Sequence, residues 1–180
     1  MPYRYKGKDL AKGLENALYF CPKCDRTGTL KSEKDIFSCS CGLRVRFSET
    51  GFFEKVEPDD PELPFETVRD WDFWQDKRIV EYAASLGDDE IAYTDPDVML
   101  IGVGRKHKDS VLEIGTLSIS KEALSVGEHR FPLTSISSMG LMGTYKMMFS
   151  VDGQSYELRA AKKPYCGRKY YTFYELLKKK

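Results

Sequence analysis

The sequence has 180 residues, of which 41% are hydrophobic and 13% aromatic. This length and composition suit one ordinary domain or two small ones, and they exclude global disorder. The formal net charge is zero, but residues 57–97 carry 14 acidic and 3 basic side chains, whereas residues 159–180 carry 8 basic and 1 acidic. No apolar signal-peptide core follows Met1, and the apolar run 98–104 is too short to cross a bilayer, so we expect a cytoplasmic location.

The first 56 residues predict a lead-in helix followed by a small strand-rich region. Leu10, Leu14 and Ala17 have the spacing of one helical face, so we expect a short helix within residues 1–16. Residues 17–56 alternate like short strands, with a polar turn at 32–35 that suits a hairpin. The predicted strands are 17–20, 28–31, 36–39, 43–47 and 52–53.

Four of the five cysteines fall in this region as two short pairs, Cys21-Pro22-Lys23-Cys24 and Cys39-Ser40-Cys41-Gly42. Two such knuckles on neighbouring hairpin tips can supply the four thiolates of a tetrahedral zinc site, so we predict a zinc ribbon over residues 17–56. A closed site of four cysteines leaves no open coordination position, so its role is structural rather than catalytic. An iron–sulfur site, a redox-active C-x-x-C motif and disulfides remain alternatives.

An acidic, proline-rich linker and a helix come next. Residues 57–65 contain three prolines and read as a linker. A connecting helix is predicted over 66–87, because Thr67 and Asp70 resemble a capping box and Gly87 can end the helix. Apolar residues then recur at helical spacing, which makes the helix amphipathic and favours packing of its two tryptophans over base stacking or membrane contact. The stripe comprises Val68, Trp71, Ile79, Tyr82 and Leu86, with Trp74 at its margin.

The last region, residues 88–180, reads as successive strands that end in a helix. Tyr170, Phe173, Tyr174 and Leu177 have the i, i+3, i+4, i+7 spacing of an amphipathic C-terminal helix. About seven strands closed by one helix predict a small antiparallel barrel capped at one end, and the whole chain is predicted to be mainly β with helices (α+β). The predicted strands are 91–94, 98–103, 111–120, 123–126, 129–133, 145–151 and 155–160.

No catalytic pattern stands out in the sequence. His107 lies in the basic segment Arg105-Lys106-His107-Lys108, His129 begins a predicted strand, and neither has a catalytic partner at a recognisable spacing. Cys166 is interpreted as a half-buried thiol rather than a nucleophile. The sequence also lacks a nucleophile elbow, a P-loop, a complete dinucleotide fingerprint and a zinc-protease motif. We therefore predict that this chain is not itself an enzyme.

Several segments of the chain are similar to a known family. The closer ones are 5–8, 13–24, 39–42, 51–53 and 71–75, and the looser ones are 115–119, 131–136 and 156–158. Together they resemble the region downstream of the catalytic domain in lysophospholipid (acylglycerol-phosphate) acyltransferases of Gram-positive bacteria. The resemblance covers residues 3 to about 80 and continues more loosely through strands that resemble pleckstrin-homology-like (PH-like) or GRAM-like domains. The family's catalytic His-x₄-Asp motif does not occur here, so no catalytic residue is carried over.

The resemblance implies an accessory role in phospholipid biosynthesis, with an acyltransferase catalytic domain as a partner in cis. The zinc ribbon would brace the barrel, and the barrel would lie near an anionic membrane surface, as a peripheral module at its inner face. The basic C-terminal segment supplies the candidate headgroup contacts, each contributing roughly 1 kcal/mol near such a surface. These candidates are Lys162, Lys163, Arg168 and Lys169.

Two other functions remain open from the sequence. A nucleic-acid-binding zinc ribbon would use the cations around the knuckles, but residues 1–56 carry a net charge of only about +4, which argues against it. A protein-interaction module, in which the barrel binds a peptide or a subunit, cannot be separated from lipid binding by sequence. The cations that would contact nucleic acid are Lys23, Arg26, Lys31, Arg44 and Arg46.

Overall fold

A computed structural model describes residues 3–104, 109–143 and 146–178. The chain divides into two compact units, Met1–Ile79 and Val80–Lys180, and the division falls within the long helix α1 (Val68–Ser85). Both units contain an antiparallel sheet, and a second helix ends the chain. The predicted α+β class is therefore confirmed. The basic segment 105–108, with His107, lies outside the described residues, as does Tyr145 at the start of one predicted strand.

The first unit is built on a four-stranded antiparallel sheet whose strands follow one another in chain order. A two-residue turn joins the first two strands, and Lys34 in this turn has a left-handed φ of 54°. This is the hairpin that the polar segment 32–35 predicts. The strands are β1 (Leu30–Glu33), β2 (Ile36–Cys39), β3 (Arg44–Phe47) and β4 (Phe53–Glu54).

Trp71 on α1 forms the centre of the first unit's core. Its indole is buried, and its ring centroid lies 5.3 Å from that of Phe37, 5.6 Å from that of Phe53 and 5.7 Å from that of Phe65. Edge-on and tilted aromatic contacts at these distances stabilise a core beyond the area they bury. The prediction that Trp71 packs in a core is thus confirmed.

The predicted lead-in helix over residues 1–16 is wrong. From Tyr3 onward, the described part of this segment holds only a 3₁₀ turn over Leu14–Asn16. Asp9 and Gly13 have left-handed φ values of 57° and 86°, which interrupt a helical path. The segment instead bonds to the β1–β2 turn, because the Ala11 N–H donates to the Lys34 carbonyl at 3.1 Å.

The second unit carries a seven-stranded antiparallel sheet in the order β8-β7-β6-β5-β11-β10-β9. The sequence predicts six of these strands, with β5 divided in two, but it does not predict β9. The strands are β5 (Tyr93–Gly102), β6 (Ser110–Ile119), β7 (Ala123–Val126), β8 (His129–Pro132), β9 (Ile136–Met142), β10 (Lys146–Val151) and β11 (Gln154–Ala160).

A bulge explains why β5 looks like two strands in the sequence. Asp95 pairs with Leu117, and the next recorded pair on this side is Val98 with Gly115, so β5 takes three steps where β6 takes two. Asp97 has a left-handed φ of 56°. The extra residue lets one continuous strand pass through a proline-containing segment that would otherwise break the pairing.

The predicted barrel is not closed by backbone pairing. Strands β8 and β9 end the sheet order, and no pairing joins them among the described residues. Strand β8 has four residues, and a 3₁₀ turn over Leu133–Ser135 separates it from β9. Side chains nevertheless pack across the sheet, because the ring of Phe131 on β8 lies 4.9 Å from that of Phe149 on β10 and 5.0 Å from that of Tyr156 on β11.

The C-terminal helix α2 (Gly167–Lys178) packs against this sheet, as its amphipathic pattern predicts. Tyr170, Phe173 and Tyr174 are buried. The ring of Phe173 lies 5.7 Å from Tyr93, and the Tyr174 hydroxyl donates a 3.0 Å hydrogen bond to the Ile136 carbonyl. Helix α2 therefore contacts both β5 and β9 of the second unit's sheet.

Candidate metal centre

The first cysteine pair lies in a tight turn between two bridged residues. Phe20 and Thr27 form an isolated antiparallel bridge, and the Cys21 N–H donates to the Arg26 carbonyl at 3.0 Å. Asp25 closes the turn with a left-handed φ of 56° and donates its N–H to the Cys21 carbonyl at 2.8 Å. These bonds hold Cys21 and Cys24 on the same side of the turn.

The second pair lies where β2 turns into β3. Cys39 ends β2 and donates its N–H to the Leu43 carbonyl at 2.8 Å, while the Gly42 N–H donates to the Cys39 carbonyl at 3.0 Å. Gly42 has a φ of 89°, a backbone conformation that glycine adopts without the strain a side chain would cause. A glycine at this position therefore permits the shorter Cys-x-Cys spacing.

The four cysteine sulfurs form one cluster, and all lie within 4.8 Å of one another. The sulfurs of Cys21 and Cys41 are 3.7 Å apart, and those of Cys24 and Cys39 are 3.8 Å apart. Four sulfurs at about 2.3 Å from a central ion would be separated by about 3.8 Å in a regular tetrahedron. The four predicted ligands are thus brought together, and the cluster could hold a metal ion.

The protonation of these thiols depends on burial and on nearby donors. Burial raises the pKa of the Cys21 thiol well above its usual range. Burial acts in the same direction on Cys24, but hydrogen bonds from the side chain and backbone of Arg26 outweigh it and lower that pKa to about 6. At Cys39, burial is likewise outweighed, chiefly by the Thr29 hydroxyl, and the pKa is lowered. Without a cation, the cluster therefore favours thiolates at only some of its positions.

Helix α1 fixes the segment that leads into the first pair. Gln75 is fully buried, and its Oε1 accepts the N–H groups of Tyr19 at 2.7 Å and Phe20 at 3.1 Å. Its Nε2 donates to the Ala17 carbonyl at 3.0 Å, and the Trp71 Nε1 donates to the Phe20 carbonyl at 2.9 Å. One side chain thus bonds to the backbone of residues 17–20 as a neighbouring strand would. Sequence reasoning assigns Gln75 no such role, because a glutamine on a helix is usually exposed.

Arginines near the knuckles bond to groups of their own unit. Arg44 donates to the Asp60 carboxylate at 2.8 Å, and Arg46 donates to the Val56 carbonyl at 3.4 Å. Arg78 on α1 forms a bidentate pair with Asp25, in the turn of the first cysteine pair. Of the five cations predicted to contact nucleic acid, Arg44 and Arg46 therefore already form hydrogen bonds within the unit.

The predicted headgroup residues do not form one surface. Lys162 and Lys163 are exposed, with the Lys162 ammonium 3.0 Å from Asp97, and Arg168 is half-buried. Lys169 is only 4% exposed, and its ammonium lies 2.7 Å from the Asp95 carboxylate. Because the Lys169 charge is buried and neutralised within the unit, it does not reach an external headgroup. The prediction that Lys169 contacts a headgroup is therefore wrong.

The structure brings two further cations, Lys146 and Arg159, close to the exposed Lys162. Lys146 and Arg159 both pair with the buried carboxylate of Glu157, and they line a groove of about 500 Å³ together with Lys162. Met142 and Pro164 contribute apolar surface to the same groove. The sequence does not reveal this grouping, because adjacent strands bring together residues that are distant along the chain.

The remaining candidates show no catalytic arrangement in the described residues. His129 Nδ1 lies 2.6 Å from Glu113, which makes one isolated pair. Cys166 is half-buried, as predicted, and burial raises the pKa of its thiol, which works against a nucleophilic role. Within the described ranges, neither helix is both long and apolar enough to span a membrane. Comparison with protein-family models, with curated proteins and with solved structures found no match.

Proposed function

We propose that the four cysteines hold one structural Zn²⁺ and that the first unit is a zinc ribbon. The observation that carries this proposal is the sulfur geometry, with separations of 3.7 and 3.8 Å that fit a tetrahedron of thiolates. Disulfides would need sulfurs at about 2.05 Å. Four protein ligands leave no position for substrate, so zinc would stabilise the fold and take no part in a reaction.

Metal analysis of the purified chain tests the zinc proposal. We expect about one zinc per chain, and we expect Cys39→Ser to abolish stoichiometric zinc because it removes one of the four sulfurs of the cluster. Cys166→Ser is the matched control, because Cys166 lies outside the cluster. Iron with acid-labile sulfide in place of zinc, or full retention of zinc by Cys39→Ser, would overturn the assignment.

For the second unit we propose a PH-like module that contacts an anionic membrane surface. Seven antiparallel strands followed by one packed helix support the PH-like assignment. The cations Lys146, Arg159 and Lys162 line one groove, and the exposed Lys163 follows Lys162 in the chain. These four cations support the lipid contact. Exposed Met142, at the rim of that groove, could enter the headgroup region.

In this proposal the chain is a non-catalytic accessory region of a phospholipid-synthesis acyltransferase. It would act on the cytoplasmic side of the membrane and attach peripherally. The resemblance of residues 3 to about 80 supports this assignment, with a catalytic domain as the partner in cis. The nucleotide sequence upstream of the codon for Met1 tests it, because an open reading frame with a His-x₄-Asp motif is expected there.

Co-sedimentation with vesicles tests the membrane contact. We expect the chain to bind vesicles that contain phosphatidylserine, to bind neutral vesicles weakly, and to dissociate as salt increases. The double variant Lys162→Glu with Lys163→Glu should lose most of this binding. Lys31→Glu, an exposed charge change in the first unit, is the control. Binding that is unchanged by the double variant would exclude the proposed surface.

A further inference from the structure

We propose that the open edge of β9 binds an extended peptide segment of a partner protein. The segment would add a strand to the second unit's sheet, with apolar residues at alternate positions and an acidic residue at the end nearest α2. The basic pocket near Ile136 lies at one end of this surface, and the cationic groove proposed for lipid contact adjoins it at the other end, at Met142.

The first observation is that β9 is an unprotected edge. In the described part of the chain it pairs with β10 alone, and the backbone groups of residues 138–142 form no backbone hydrogen bond beyond that strand. Its seven residues include no charge and no proline. The opposite edge, β8, has four residues and carries Arg130 and Pro132, which are features that natural sheets use to prevent pairing with another chain. The two edges of one sheet thus differ in the way expected if β9 accepts a strand.

The second observation is the division of side chains on β9. Met139 is opposite the buried Phe149, and Leu141 is opposite the buried Met147, so both point to the sheet's inner face. Both nevertheless remain half-buried, since β9 is the last strand in the sheet order of the described residues. A peptide strand with apolar residues on that face would cover them. Ser138 and Gly140 alternate with them on the other face and leave room for larger side chains there.

The third observation is a basic pocket at the Ile136 end of the edge. The pocket has a volume of about 330 Å³, and its lining includes Leu133, Tyr174, Lys121 and Lys178. The ammonium of Lys121 donates to the Leu86 carbonyl, and that of Lys178 donates to the Ser137 carbonyl and the Tyr174 hydroxyl. Within the described residues, neither ammonium forms an ion pair with a carboxylate.

Charge complementarity decides the occupant. Two ammonium groups beside an apolar pocket favour a carboxylate next to an apolar side chain. A second copy of this chain, paired edge to edge through β9, would bring only uncharged residues from that strand. A peptide with its own aspartate or glutamate satisfies both the edge and the pocket, and it matches the known mode of recognition by strand addition.

Selection from a phage-displayed library of random eight-residue peptides tests this inference on the full, zinc-loaded chain. We expect enriched peptides to alternate apolar and polar residues and to carry an acidic residue near one end. Binding of a synthesised, enriched peptide should slow the hydrogen exchange of amides in residues 138–142. Failure to enrich any peptide over an empty surface, or binding without protection of these amides, would overturn the proposal.

Variants and peptide changes locate the charge contact. We expect Lys121→Glu with Lys178→Glu to weaken peptide binding about tenfold or more, whereas Lys31→Glu, at an exposed lysine of the first unit outside the pocket, should have little effect. Replacing the peptide's acid by its amide should give a similar loss without altering the protein, so a folding defect in the variant cannot decide the result. Equal binding of the acid and amide peptides would refute the acidic requirement. Protection of the β9 amides that rises with protein concentration alone would assign the edge to a second copy instead.

Discussion

The two units differ in the length of their strands and in the apolar core that those strands bury. The first unit has four strands of two to four residues, and its core mixes apolar side chains with the thiols of Cys21 and Cys39. The second unit has two ten-residue strands and buries apolar side chains from most of its strands and from α2. A small sheet with short strands has too little core to fold alone, and metal ligation commonly supplies the missing free energy. We therefore expect the stability of the first unit, and not that of the second, to depend on the cysteine cluster.

Removing the metal should have the largest effect on stability, and this effect should be confined to the first unit. With a strong chelator, or in Cys39→Ser, we expect the first unit to unfold, because apparent binding free energies of structural zinc are about 10–16 kcal/mol. Both tryptophans of the chain, Trp71 and Trp74, lie in the first unit, so their fluorescence reports its unfolding selectively. Amide exchange in β5 and β11 should stay slow. Simultaneous loss of protection in both units would show that they do not differ as proposed.

Truncating a core side chain of the second unit should destabilise that unit and leave the first unit folded. Phe149 is 1% exposed, and its ring contacts those of Phe131 and Tyr156. We expect Phe149→Ala to destabilise this unit by about 3–5 kcal/mol, with zinc content unchanged. Denaturant melts followed by amide exchange measure the loss. The exposed Phe73→Ala, in the first unit, is a matched control that should cost far less.

Loss of the Gln75 side chain should weaken the first unit by an intermediate amount. Gln75→Ala leaves the buried N–H groups of Tyr19 and Phe20 without their acceptor, and we expect a cost of about 2–3 kcal/mol. Gln75→Glu keeps an acceptor for the Tyr19 and Phe20 N–H groups but loses the donor to the Ala17 carbonyl. It therefore distinguishes the accepted hydrogen bonds from the donated one. Tryptophan fluorescence during denaturation, with zinc present, provides the measurement. Equal stability of wild type and Gln75→Ala would show that these bonds do not hold the knuckle in place.

The smallest expected effect is a pH dependence in the second unit. A hydrogen bond with His129 holds the pKa of Glu113 below its ordinary value of 4.5. A carboxyl whose folded pKa is depressed stabilises the fold above its ordinary pKa, and this contribution disappears as the pH falls through the folded value. We therefore expect Glu113→Gln to flatten the decline of the second unit's melting temperature below about pH 4.5. A decline equally steep in both proteins would exclude this contribution.

The sequence predicted those features that depend on neighbours along the chain. The boundaries of β2 and β7, the amphipathic helices and the two cysteine pairs all follow from local spacing and periodicity. The clustering of the cysteines followed as well, because the pairs lie on adjacent turns. The tetrahedral fit of their sulfurs needed coordinates.

Features that depend on distant partners were missed. Strand β9 contains two serines and a glycine, residues with low strand preference, so it became a strand only through pairing with β10. Lys169 looks like a surface residue in the sequence, and its burial depends on Asp95, 74 positions earlier. The lead-in helix failed for a related reason, because hydrogen bonds to the β1–β2 turn replaced helical ones.

The bulge in β5 has a consequence for tolerance to insertion and deletion. The most deeply buried side chains of this strand lie at an odd position before the bulge, Tyr93, and at even positions after it, Val98 and Leu100, which are both 0% exposed. Deleting Pro96 would restore a regular strand and turn one of these two groups away from the core, since side chains alternate with a period of two. The number of residues between Tyr93 and Val98 is therefore under tighter constraint than the identity of those in between.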